Sequence, residues 1–64
     1  MPEPSDPVYF EHSAVGAYRR VAAICGRTGI EVVVMGPLHA SQYDLERLAS
    51  RKLQRRLAQE SGEP

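Results

Sequence analysis

The sequence predicts an α+β fold, a three-stranded antiparallel meander with one C-terminal helix packed on one face. Three observations carry this. The run Ile30-Glu31-Val32-Val33-Val34-Met35 is β-branched and reads as a strand, and Gly36-Pro37 stops it. Directly afterwards the hydrophobic period changes. Ser41-x-x-Asp44 opens a segment with apolar residues at 45, 48, 49, 53 and 57, which is helical spacing. Finally, the links between the apolar segments upstream are short, whereas a parallel pair needs a crossover of roughly a dozen residues or more.

The elements follow in order. Val8–Ala14 is a first strand with Gly16 at its turn, and Tyr18–Cys25 is a second. Gly26-Arg27-Thr28-Gly29 makes a tight connection in which two glycines can supply positive φ. Ile30–Met35 is the third strand. Ser41 is the N-cap of the helix and Asp44 the third helical residue, a pair resembling a capping box. Leu45, Leu48, Ala49, Leu53 and Leu57 form a stripe that can lie on the sheet. The other side carries Glu46, Arg47, Ser50, Arg51 and Arg55, and basic residues toward the C-terminal end suit the helix dipole.

Placing Cys25 opposite Ile30 and Ala14 opposite Ala17 sorts the strand residues into two faces. One holds Val8, Phe10, His12, Val21, Ala23, Cys25, Ile30, Val32 and Val34, with Arg19 near its end, and is the core face. The other holds Tyr9, Glu11, Ser13, Tyr18, Arg20, Ala22, Ile24, Glu31, Val33 and Met35. In this register Glu11 falls opposite Arg20, a favourable cross-strand pair.

Sixty-four residues allow one domain. Residues 1–7, with three prolines and two acids, are expected to be a disordered arm, and 60–64 a frayed tail, leaving a domain at 8–59. So small a core is marginal and usually needs a staple. Cys25 is the single cysteine, so an internal disulfide is excluded, and self-association or a well-packed core is the expected solution. The formal net charge is zero, which gives no general pull toward nucleic acid or anionic membrane. No secretory leader pattern and no membrane-length apolar run is present. With a lone free thiol, this points to a soluble, cytoplasmic protein.

No catalytic, cofactor or metal motif emerges. His12, His39 and Cys25 lie on separate elements without ligand spacing. Glu11 and His12 are neighbours on a strand and so point to opposite faces. Cys25 sits on the apolar face, which suits packing better than nucleophilic chemistry. Gly26-Arg27-Thr28-Gly29 leads into a strand and lacks the phosphate-loop pattern. Two surfaces remain. The cluster Arg47, Arg51, Lys52, Arg55 and Arg56 can contact phosphates, although it also reads as the solvated face of an amphipathic helix. The second sheet face, with Tyr9, Tyr18, Ile24, Val33 and Met35, is too apolar for free water, and the one helix is needed on the other side.

The segments Val8-Tyr9-Phe10-Glu11, Thr28-Gly29-x-Glu31-Val32-x-Val34-x-Gly36-Pro37 and Asp44-Leu45-Glu46-Arg47-Leu48-Ala49-x-Arg51-Lys52-Leu53 resemble a family of very short bacterial proteins, a domain of unknown function. The resemblance spans about residues 8–58 and rests on turn, strand-end and helix-face positions. It implies a compact fold and a bacterial cytoplasmic setting, and brings no activity, ligand or functional residue. The residues therefore favour a non-enzymatic protein-interaction module, a homodimer or a binder of another protein, acting through the second sheet face. The alternative is a small nucleic-acid-binding protein using the basic helix.

Overall fold

The computed structural model describes residues 6–60 and 62. Strands β1 (Val8–Val15), β2 (Tyr18–Cys25) and β3 (Glu31–Pro37) form one antiparallel sheet in the order β1-β2-β3, and helix α1 (Gln42–Glu60) packs on it. This is the predicted meander with a covering helix. Of the expected arm and tail, residues 1–5, 61, 63 and 64 lie outside the described residues. Asp6 and Pro7, the last residues of that arm, are held to the second hairpin. Arg27 Nε lies 2.9 Å from Asp6 Oδ2, and the Gly26 N–H donates to the Pro7 carbonyl at 2.9 Å. The tail position Glu60 is still helical.

The β2–β3 register is the predicted one. The Cys25 N–H donates to the Ile30 carbonyl at 2.9 Å, and Val21 stands opposite Val34. Its turn is closed by Gly29, whose N–H returns to the Cys25 carbonyl at 2.8 Å and whose φ of +76° a side chain would resist. Gly26 contributes differently from the prediction. Its φ is not positive; instead a Cβ there would stand 2.6 Å from Pro7 Cγ and 2.8 Å from a Tyr9 ring carbon.

The β1–β2 register departs from the prediction by two residues. Val15 pairs with Tyr18, so the loop is Gly16-Ala17 and β1 extends one residue further than expected. Glu11 therefore stands opposite Ala22, not Arg20, whose partners are Ser13 and Met35. A shift of two keeps every side chain on its assigned face, since strand side chains alternate with period two. Both faces consequently survive the correction.

The Asp44 N–H donates to Ser41 Oγ at 3.3 Å, so Ser41 caps α1 as predicted. The buried helix residues are Leu45, Ala49, Leu53 and Leu57, and they pack on Val21, Ala23, Cys25 and Val32. Leu48 is not among them; it is 50% exposed. At about 100° per residue, four positions spaced by four sweep an arc of ~120°, and Leu48 falls ~120° from its centre. Glu46, expected on the solvent side, instead turns toward β1, where its Oε2 lies 2.7 Å from His12 Nε2. Gly36 lets the helix approach closely, since a Cβ would meet Leu45 Cδ2 at 2.7 Å.

Candidate functional site

The helix covers one face of the sheet, and among the described residues no element lies over the other. Read across the strands, the open face has four rows: Tyr9–Ile24–Glu31, Glu11–Ala22–Val33, Ser13–Arg20–Met35 and Val15–Tyr18–Pro37. Tyr9, Tyr18 and Met35 are 58%, 55% and 51% exposed. Ile24 and Val33 are half-buried, and Ala22 is sealed beneath its larger neighbours. The five residues expected to make an interface, Tyr9, Tyr18, Ile24, Val33 and Met35, therefore share this face. Val15 joins them. Expected in the turn, it is returned to the sheet by the extended β1, with its side chain exposed.

Both signs of charge occur on the face. Arg20 Nη2 reaches diagonally across the β2–β3 pair to Glu31 Oε2 at 3.8 Å. Such an exposed pair adds little stability. Its consequence is a mixed apolar and polar surface with two tyrosines, which is the composition favoured at interfaces. Antiparallel sheets that turn one face to water ordinarily carry polar residues there. This face departs from that pattern.

The basic helix is less uniform than its sequence suggests. The Arg47 guanidinium lies over the Tyr43 ring, 5.8 Å from its centroid. Arg56 Nε is 3.0 Å from Glu60 Oε2, one turn along. The Lys52 ammonium leaves the cluster and donates to the Val33 carbonyl at 2.7 Å. Arg51 and Arg55 are exposed and have no acidic partner among the described residues. Of the five cations named from sequence, two thus present unengaged charge. The Lys52 contact was invisible in the sequence because it depends on where α1 crosses the sheet.

Cys25 is 1% exposed and packs in the core. Its thiol is held below the usual 9.0, first by a hydrogen bond from the Thr28 side chain, then by the Thr28 backbone, with burial opposing. Thr28 Oγ1 also accepts the Ile30 N–H at 3.2 Å, so this hydroxyl organises the hairpin. His12 is taken up by Glu46, while His39 lies exposed in the link before α1. Among the described residues no three of His, Cys, Asp and Glu converge as a metal site would require, and no helix is long and apolar enough to cross a membrane.

Residues 5–60 match the model of a protein family described as a domain of unknown function (DUF6898). No curated protein and no solved structure matches the chain.

Proposed function

Since the chain belongs to this family of domains of unknown function, whose description carries no activity, we propose a function from its surface: a non-enzymatic interaction module that pairs with a second copy of itself through the open sheet face. The observation that carries this is the exposure of Tyr9, Tyr18 and Met35 on a face that has no covering element among the described residues. The self-pairing is favoured by the chemistry of the face, which sets apolar residues among charges of both signs, Glu11, Arg20 and Glu31, with Arg20 reaching diagonally to Glu31. A two-fold axis passing between Arg20 and Glu31 would set each of these two charges near its opposite in the other copy. A cytoplasmic setting belongs to the same reading, because Cys25 is kept as a free thiol.

Area sets the strength of this contact. Three strands ~4.8 Å apart and about eight residues long at ~3.4 Å each give a face of about 400 Å² in projection. Stable interfaces remove about 800 Å² from each partner, so the pairing belongs to the transient class and needs high concentration. Sedimentation over about 10–300 µM should show the monomer giving way to a dimer. Val33→Lys and Met35→Glu should each hold the protein monomeric, because a lone charge in an apolar interface is costly. A monomer throughout, or a dimer indifferent to both substitutions, would overturn the proposal.

The second reading is nucleic-acid binding by α1. It is supported by Arg51 and Arg55 and weakened by the engagement of Arg47, Lys52 and Arg56 within the chain. Two free cations are few for a surface whose affinity comes from phosphate neutralisation.

A further inference from the structure

The outer edge of β3 is a second unclaimed surface. Cys25 and Ile30 form a hydrogen-bonded pair, with the Cys25 N–H donating to the Ile30 carbonyl. In an antiparallel ladder such pairs alternate with non-hydrogen-bonded ones, so Glu31, Val33 and Met35 turn their backbone groups away from β2. β3 is the last strand of the sheet, and these groups face outward. An unpaired edge of this kind invites another strand. Here one of its acceptors is occupied: the Lys52 ammonium reaches over from α1 and donates to the Val33 carbonyl at 2.7 Å.

Beside this edge, between β3 and α1, runs a groove lined by Val33, Val34, Met35, Leu48, Arg51, Lys52 and Arg55. It has an apolar floor, three cations and no acid. Leu48, displaced from the core stripe, supplies part of that floor.

We propose that the β3 edge accepts, as a fourth strand, an extended peptide in which acidic and apolar residues alternate. The alternation follows from the pleat, since successive side chains of an added strand point to opposite faces. Those on the helix side meet Arg51, Lys52 and Arg55 and are acidic. Those on the open side extend the surface of Val33 and Met35 and are apolar. Lys52 sets the selectivity. To pair with Val33 the incoming backbone must displace the ammonium, and a carboxylate on the peptide gives that ammonium a new partner. A neutral strand offers none. This edge site shares Val33 and Met35 with the face-to-face contact but does not require it.

The test uses fluorescence anisotropy with a labelled peptide of alternating Glu and Val, seven residues long, and the same peptide with Gln for Glu. The acidic peptide should bind at least about tenfold more tightly than the neutral one, and the difference should shrink as salt is raised. The double variant R51E/R55E should lose at least about tenfold in affinity, and Lys52→Met should narrow the preference for acid over neutral. Backbone contact is read from two N-methylated versions, one methylated at the valines and one at the glutamates, of which at least one must lose binding. Undiminished binding of both would overturn strand addition, as would no binding of the acidic peptide. Tighter binding of a thymidine oligonucleotide at the same ionic strength would also overturn it and assign the cations to phosphate.

Discussion

Replacing Leu53 by Ala removes the largest fully buried side chain, at 1% exposure, from the middle of the contact between α1 and the sheet. The lost transfer free energy and the unfilled space together cost about 2–5 kcal/mol for a buried leucine. At roughly 0.05–0.15 kcal/mol per residue, a chain of this size has about 3–10 kcal/mol in all. The substitution therefore takes at least about a fifth of the stability, and Tm should fall by at least about 8 °C. Leu48→Ala is the internal control. At 50% exposure it has about half of a leucine's ~1.5–3 kcal/mol of burial to lose, and alanine is the better helix former. Its cost should stay below about 1 kcal/mol. Thermal and urea unfolding followed by circular dichroism measures both. Similar losses in the two variants would mean that α1 presents a different side to the sheet, and the reasoning from its buried stripe would fail.

Gly36→Ala should destabilise by about 1–3 kcal/mol through overpacking against Leu45, and the loss should be much smaller in a Leu45→Ala background; additive costs in that cycle would show that the close approach is not what selects glycine. Because folding lowers the Cys25 thiol below 9.0, stability should rise as pH climbs through the folded value toward 9.0 and fall again on acidification through it. Thr28→Ala should flatten that rise and move the thiolate absorbance titration upward; an unchanged titration would remove Thr28 as its cause. Single-stranded DNA should not bind at physiological salt, and tight, salt-sensitive binding abolished by R51E/R55E would put nucleic acid first.

The faces of the sheet could be read before its register. A turn at Val15-Gly16 and one at Gly16-Ala17 look alike in sequence, yet they differ by two in pairing, and a period-two pattern cannot detect that shift. The same insensitivity kept Tyr9, Tyr18, Ile24, Val33 and Met35 together. Leu48 was misplaced because it has helical spacing to Leu45, whereas burial depends on the angle to the centre of the whole stripe. Gly26 and Gly36 signal turn or strand end in sequence, and their need for space arises from Pro7, Tyr9 and Leu45, distant or nearby residues brought close by the fold. Basic residues could be counted, but their engagement could not. The contact from Lys52 to Val33 spans nineteen positions and exists only once α1 lies beside β3.

Pairing of two copies through the open sheet face is tested most directly by amide and methyl NMR spectra over a dilution series from about 500 µM to about 20 µM. We predict that shifts concentrate at Tyr9, Tyr18, Ile24, Val33 and Met35, and that signals of Arg47, Arg51 and Arg55 on α1 stay in place. Concentration-dependent shifts confined to α1, or none at all across the series, would contradict it.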